Sequence, residues 1–234
     1  MITPRPFHII LLISALFFSK LAFSSQNSLT FNRPADTPHA RYALELLKLA
    51  YAEIGYTIHI IDFNRPNALL AADNGVLDGQ LGRDLSIEKD YKNLLRVNYP
   101  LFEFNLLLIK HCQPSLLYQL DSIAILNDYP VQADYLESVN FDGNIIRVKN
   151  IITQLNLLSQ NAAQGMIVVD FVLGGEKTHL PNGCYQKQVL GKHSVYHYLH
   201  KNNKNLVAKL QKAFVKLHNN GTVYALRAKH HIAY

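Results

Sequence analysis

The hydrophobic and polar positions in the first half of the chain predict short strands that alternate with helices. The predicted strands are 28–31, 56–63, 77–82 and 94–110. After the first strand, Asp36 or Thr37 can cap a helix that Gly55 ends. The predicted apolar face of this helix comprises Tyr42, Leu46, Leu49, Ala50 and Ile54. A second, short helix is predicted within RPNALLAADNG. This order of elements is typical of an α/β fold with a mostly parallel sheet.

The second half of the chain begins the same alternation again. Its predicted strands are 122–126, 144–148 and 165–170, with a helix in DYPVQADYLES and another from about Asn150. Two strand-like runs then lead to a strongly amphipathic helix that ends at Gly221. Leu206, Leu210, Phe214 and Leu217 form its predicted apolar stripe. Two successive α/β units predict two lobes rather than one sheet, and 234 residues are enough for both.

The N-terminal segment 1–24 has the layout of a secretory signal peptide. Arg5 precedes an apolar run, and Ala22 and Ser24 occupy the −3 and −1 positions of a small-residue cleavage site. A retained anchor is the alternative, although the run is shorter than the ~20 residues of a spanning helix. We therefore expect an exported protein, located in the periplasm.

Composition and charge limit the fold and the kinds of binding partner that we expect. Apolar residues make up 49% of the chain, which is enough for a core. The net charge of +6 is not concentrated in any one segment, so a nucleic-acid partner is not expected. The two cysteines, Cys112 and Cys184, form one disulfide if the compartment is oxidising, or else remain two buried thiols.

The segment NGVLDGQLGRDLSIEKDY places Arg83 directly after the third strand. Because the carboxyl ends of parallel strands face the ligand crevice of open α/β sheets, Arg83 is a candidate ligand residue. Its planar guanidinium suits a carboxylate or a phosphate. The alternative is an exposed arginine paired with Asp84 or Glu88. Arg65, at the start of the second predicted helix, is a further candidate.

Several phrases, in this order, resemble the bacterial extracellular solute-binding proteins of family 3. They are ALLAADNGVLDGQLGR, LLRVNYPLFEFNLLLIK, AAQGMIVVD and VYHYLHKNNKNLVAKLQKAFVKLHNNGTVYALRAK. The resemblance implies the type II periplasmic binding protein fold, with two lobes joined by a two-segment hinge. It assigns 25–111 and 191–234 to lobe 1 and 112–190 to lobe 2. It also implies a monomer without a cofactor that captures a small polar solute, such as an amino acid, for the permease of an ABC importer.

The resemblance extends to some site residues and fails at one. Asp170 matches the aspartate that receives the α-amino group in amino-acid binders. The arginine that clamps the ligand carboxylate in those proteins is missing, because the corresponding run here is LSIEKD. Either Arg83 clamps from a shifted position, or the ligand is not an α-amino acid. Asn127 and Asp128 replace the usual anion cradle, and Tyr129 beside them could stack on a ring.

Other candidates carry weaker arguments. Tyr99 and Glu103 approach the predicted hinge and are either ligand residues or parts of the core and rim. His193, His197 and His200 have a metal-like spacing only on a helix, whereas their surroundings favour a strand, so no metal is expected. No catalytic motif is present, and we expect no enzyme activity. The alternatives are a periplasmic enzyme of the same fold that acts on a small organic acid, and a ligand-sensing domain not tied to transport.

Overall fold

The computed structural model describes residues 27–112, 116–127, 129–173 and 180–232. The strands are β1 Asn27–Asn32, β2 Tyr56–Ile61, β3 Gly79–Arg83, β4 Leu94–His111, β5 Ser122–Leu126, β6 Asn144–Val148, β7 Gly165–Val169 and β8 Tyr185–His200. The helices are α1 Pro38–Glu53, α2 Arg65–Asp73, α3 Pro130–Ser138, α4 Ile151–Ser159, α5 Lys204–Asn219 and α6 Thr222–Lys229. The predicted signal peptide, 1–24, lies outside the described residues. Within them, no helix combines the length and the apolar character needed to cross a membrane.

The strands form a six-stranded mixed sheet and a separate two-stranded one. The order in the larger sheet is β3-β8-β4-β7-β5-β6, and β1 pairs with β2 in parallel. Strand β5 is parallel to both β6 and β7, whereas β4 is antiparallel to β7 and β8. The predicted alternation of strands and helices in two α/β units is therefore confirmed.

Strands β4 and β8 pair along most of their length as one antiparallel ribbon. The early part of β4 pairs with β8, and from Leu106 onward it also pairs with β7. The register shifts at that point, where Leu106 faces Gly191 and Leu107 faces Val189. A bulge of this kind bends a strand locally. The β4–β8 ribbon therefore contains an irregularity where the pairing of β4 with β7 begins.

The Asp-Gly pair before β3 has a structural role. Asp78 accepts a hydrogen bond from the backbone N–H of Thr30 at 2.7 Å, and its second oxygen accepts one from Asn203 at 2.9 Å. Gly79 has φ +158°, and a Cβ there would lie 2.1 Å from the carbonyl oxygen of Tyr198. Glycine thus permits the close approach of β3 and β8.

Local sequence explains where α1 begins and which face it buries. The Thr37 hydroxyl caps the helix by accepting from the Ala40 N–H at 3.1 Å, and Pro38 opens the first turn. Its buried residues are Tyr42, Ala43, Leu46, Leu47, Ala50 and Tyr51. The prediction that Leu49 belongs to this face is wrong, because its side chain is 38% exposed.

The C-terminal half of the fold follows the predicted pattern. Leu206, Leu210, Phe214 and Leu217 are all buried on α5. The prediction that HSVYHYL forms a strand is confirmed by β8. Within that strand, His197 is fully buried, and its Nε2 lies 2.8 Å from the Tyr51 hydroxyl.

Cys112 and Cys184 form a disulfide, with their Cα atoms 5.3 Å apart. The bond joins the end of β4 to the residue before β8, and the Cys112 N–H also donates to the Cys184 carbonyl at 3.0 Å. The cross-link spans a sequence separation of 72 residues. A loop of that length is worth about 4 kcal/mol in the chain-entropy account of disulfide stabilisation. The far end of the β4–β8 ribbon is thus fastened covalently.

Candidate functional site

A cleft with a cavity volume of about 300 Å³ lies between the two α/β units. The first unit contributes the loop after β1, the start of α1 and the end of β3. The second contributes the start of α3 and the 3-10 helix Asp170–Val172 that follows β7. Its main polar lining residues are Asn32, Arg33, Gln80, Arg83, Asp84 and Tyr91. Polar groups thus concentrate on the side of the first unit.

Arg83 lines this cleft from the last position of β3. Its Nε donates to the Gln80 Oε1 at 3.2 Å, and the buried Gln80 side chain in turn donates to the Ala68 carbonyl at 2.8 Å. These bonds help to orient the guanidinium from behind. Asp84 and Glu88, the two acids weighed against it in the sequence, each have a described contact of their own. Asp84 caps the 3-10 helix Leu85–Lys89 through Ser86, and Glu88 lies 3.3 Å from Arg96.

Aromatic side chains form the apolar side of the cleft, and Phe171 is at their centre. Its ring centroid lies 5.7 Å from Phe102, 5.6 Å from Phe104 and 6.1 Å from Tyr129. The first two contacts are edge-on, the arrangement that the ring quadrupoles favour. Phe171 and Tyr129 belong to the second unit, so rings from that unit face the polar groups of the first.

His39, in the first turn of α1, completes this aromatic group. Its ring lies 4.9 Å from Phe171 and 5.0 Å from Phe102. Burial lowers the pKa of His39 below its ordinary value of 6.5, and the nearby Asp170 carboxylate opposes the shift only in part. The imidazole is therefore neutral at pH 7. Its Nδ1 is buried and has no hydrogen-bond partner among the described residues.

Asp170 lies at the start of the 3-10 helix after β7 and is not among the residues that line the cleft. Its Oδ2 accepts two hydrogen bonds from Asn105 of β4, from the backbone N–H at 2.9 Å and from the side-chain amide at 2.8 Å. The carboxylate thus ties the end of β7 to the crossing strand close to the register shift.

The remaining predicted residues lie apart from the cleft lining or outside the description. Tyr99 stacks on Phe214 at 5.0 Å, and burial raises its pKa to about 12. Glu103 pairs with Lys192 at 2.6 Å. Arg65 begins α2, but its side chain lies outside the described part of the structure, as does the whole of Asp128. Of the sequence candidates, Arg83 and Tyr129 are brought together at the cleft.

Sequence reasoning missed His39, Gln80 and Phe171. His39 follows the proline that opens α1, and the first turns of helices often face the crevice in α/β folds. Phe171 immediately follows Asp170, at the end of a strand whose last residue the sequence proposes as a ligand contact. Gln80 offered no signal, because its role depends on its contact with Ala68 and Arg83.

One ion pair joins the two units directly. Lys89, in the 3-10 helix Leu85–Lys89, contacts the carboxylate of Asp134 on α3 and lies 3.8 Å from Glu137. The hydrogen bond with Asp134 raises the pKa of Lys89 above its ordinary value. Lys89 belongs to the LSIEKD run, where the family resemblance leads us to expect an arginine.

Solved structures with low sequence identity share this architecture. A putative L-cystine ABC transporter protein from Listeria monocytogenes superposes with a TM-score of 0.71 at 19% identity, covering 88% of this chain and 97% of that one. The ligand-binding core of GluR0 from Nostoc punctiforme, in complex with L-glutamate, gives 0.69 at 16% identity, covering 88% and 100%. The chain has the type II periplasmic binding protein fold. The expected two-lobed α/β architecture is confirmed.

A third similar structure is described as the precursor of an enzyme. The ancestral amino-acid-binding protein AncCDT-1, described as a precursor of cyclohexadienyl dehydratase, gives a TM-score of 0.68 at 13% identity, covering 87% of this chain and 95% of that one. No protein-family model matches the chain, and no curated protein matches it. At these identities the similarity establishes the fold only. The class of ligand has to be inferred from the residues that line the cleft.

Proposed function

We propose that this protein is an exported solute-binding protein that captures a small solute in the cleft between its two lobes. The observation that carries the proposal is the composition of the two walls. Arg83, held by Gln80, lines the cleft from the first lobe, while Tyr129 and Phe171 line it from the second. A solute that touches both walls favours the closed arrangement and shifts the population towards it.

The proposed roles follow from the contacts of each residue. Arg83 binds a negative group of the solute, and Tyr129 packs against its apolar part. Asp170 holds Asn105 and the crossing strand, a different role from the amine acceptor that the sequence suggested. Tyr99 and Glu103 support the first lobe and the ribbon through Phe214 and Lys192.

The proposal includes export through segment 1–24, location in the periplasm and delivery of the solute to an ABC importer. The first structure compared above is described as a putative ABC transporter protein, which supports this assignment. We propose hinge segments within β4 and β8. The pairing of Leu106–Lys110 with β7 favours a crossing on β4 slightly before the boundary of 111 expected from the sequence.

The test is a thermal-shift screen of the purified protein against amino acids, organic acids, polyamines, sugars and short peptides. A solute present well above its Kd stabilises the folded state and raises the unfolding midpoint by several degrees. The shift is expected to shrink in Arg83→Gln and to persist in Arg147→Gln, since Arg147 is exposed on β6, away from the cleft. A screen in which no compound stabilises the protein would contradict the proposal.

A second candidate is an enzyme that acts on a small organic acid in the same cleft. The similarity to AncCDT-1, described as the precursor of a dehydratase, favours it, as does the neutral imidazole of His39 in the cleft wall. A neutral imidazole can accept a proton. Incubation of the protein with each stabilising compound, followed by mass spectrometry, separates the two functions, because only the enzyme consumes its ligand.

A further inference from the structure

We propose that the cleft binds a small carboxylate that carries one aromatic ring and no ammonium group. This inference depends on the proposed solute-binding function and narrows its ligand class. Three features of the cleft support it: the aromatic wall, the position of Arg83, and the partners of the nearby carboxylates.

The aromatic wall is suited to a flat apolar group. Phe171 lies within 4.9 Å of His39 and within 6.1 Å of Tyr129, measured between ring centroids, and all three side chains line the cavity. Phe102 and Phe104 line it as well. A ring placed among them gains edge-on and stacked contacts in addition to burial. A sugar or a polyamine would leave polar groups without partners against the same wall.

The guanidinium of Arg83 gives the lining a group that can bind an anion. Arg83 presents a guanidinium held by Gln80 at 3.2 Å, and guanidinium binds carboxylates through a planar fork of donors. Within the described lining, Asp84 is the only acidic residue. Its Oδ1 accepts hydrogen bonds from both the N–H and the hydroxyl of Ser86. Arg33, the other cation of the described lining, pairs with Asp62, so the ligand carboxylate is assigned to Arg83.

Asp170, which the sequence suggests as the acceptor of an amine, is hydrogen-bonded to Asn105. The Oδ2 of Asp170 accepts two hydrogen bonds from Asn105, at 2.9 Å and 2.8 Å. Asp170 also lies outside the lining of the cavity, so an ammonium group there would lose its water without reaching this carboxylate, and burying an unpaired charge is costly. The same ligand without the ammonium group avoids that cost. The cavity of about 300 Å³ lies at the small end of the range for ligand pockets, which suits a single ring with a short side chain.

The test is isothermal titration calorimetry of the full chain, exported to a bacterial periplasm and purified, with four matched probes. The probes are 3-phenylpropionate, phenylalanine, phenethylamine and propionate. They carry the ring and the carboxylate, both of these with an ammonium group, the ring with an ammonium group only, and the carboxylate only. We expect 3-phenylpropionate to bind at least about tenfold more tightly than each of the other three, since each lacks a matched group or adds an unmatched charge.

Variants locate the binding site. Arg83→Gln is expected to weaken 3-phenylpropionate binding at least about tenfold, and Phe171→Leu to weaken it several-fold, about the value of one ring contact. The control, Arg147→Gln, removes an exposed arginine on β6 and should leave the Kd unchanged. Thermal unfolding midpoints, measured for each variant without ligand, show whether a loss of binding comes from unfolding instead.

The outcomes separate this inference from the proposed function. If phenylalanine binds as tightly as 3-phenylpropionate, the ligand class is wrong and solute binding stands. The same holds if the probes fail while another class of solute binds. If 3-phenylpropionate binds equally well to parent and Arg83→Gln protein, the assignment of its carboxylate to Arg83 is overturned. If no compound of a broad screen binds, the solute-binding function and this inference are both overturned.

Discussion

The ammonium of Lys89 and the carboxylate of Asp134 form an ion pair between the first lobe and α3 of the second. The pair connects the 3-10 helix Leu85–Lys89, which follows the strand of Arg83, to the helix that begins directly after Tyr129. The side chains of Arg83 and Tyr129 both line the cleft. This contact between the lobes therefore lies next to the residues proposed to bind the ligand.

The first prediction is that Lys89→Gln shifts the ligand-free protein towards a more open arrangement. The variant removes a charge that attracts Asp134 and Glu137 in the arrangement described here and would contribute little in one with the lobes further apart. Small-angle scattering should give a larger radius of gyration for Lys89→Gln than for Lys149→Gln, which removes an exposed lysine outside the contact. High salt should expand the parent protein in the same way, because the Lys89 side chain is 52% exposed and its interaction is screened. Equal radii for both variants would contradict the prediction.

The second prediction concerns the hydrogen bonds between Asp170 and Asn105. Asp170→Ala should lower the free energy of unfolding by about 2 kcal/mol, because it leaves the Asn105 N–H without its acceptor. Asp170→Asn retains an oxygen acceptor and should cost less. Urea unfolding measures both.

The same pair of variants tests the role of Asp170 in binding. If Asp170 acts by positioning the strand, Asp170→Asn leaves the preference among charged and uncharged ligands unchanged. A selective loss of affinity for amines in Asp170→Asn would instead support the amine acceptor suggested by the sequence.

The sequence predicted the fold well because local patterns determine its elements. The stripe of Leu206, Leu210, Phe214 and Leu217 indicates the buried face of α5 without knowledge of what covers it. Thr37 and Pro38 mark the start of α1 for equally local reasons. Leu49 was misassigned because helical spacing gives the centre of an apolar face more reliably than its edge.

The candidate site was harder to predict because its residues depend on contacts between distant segments. The position of Arg83 at the end of β3 could be inferred from strand order alone. Nothing local indicates that Asn105 engages Asp170, or that Lys89 pairs with Asp134. The aromatic wall joins rings from α1, β4 and the segment after β7, so only the assembled fold brings it together.

The third prediction is that removal of the disulfide by Cys112→Ser with Cys184→Ser lowers the free energy of unfolding by about 4 kcal/mol, the value expected for a loop of this length. The cross-link restricts a long loop of the unfolded chain, while the Cys112 N–H to Cys184 carbonyl hydrogen bond keeps the strand ends together in the folded state. The folded variant should therefore keep its structure. Urea unfolding with and without reductant measures the free energy of unfolding of the parent and of the double variant. The parent should lose stability in reductant and the double variant should not.

The fourth prediction is a loss of stability in mild acid that depends on His197. Burial lowers the pKa of His197 to about 4, and the polar backbone at Leu81 and Gln80 opposes the shift only in part. The unfolded chain, with an ordinary histidine pKa of about 6.5, binds this proton first. Stability is thus fully present above pH 6.5 and is lost as pH falls towards 4, by on the order of 3 kcal/mol.

Urea unfolding at pH 7.0 and pH 4.5 measures this loss. His197→Gln, which cannot take up the proton, should lose less stability between the two pH values than the parent does. The control His59→Gln removes an exposed histidine on β2 and should lose as much as the parent. His39 and the carboxylates titrate in all three proteins, so the difference between parent and His197→Gln isolates the buried imidazole that contacts Tyr51. Identical pH dependence in parent and His197→Gln would mean that the His197 proton does not link folding to pH.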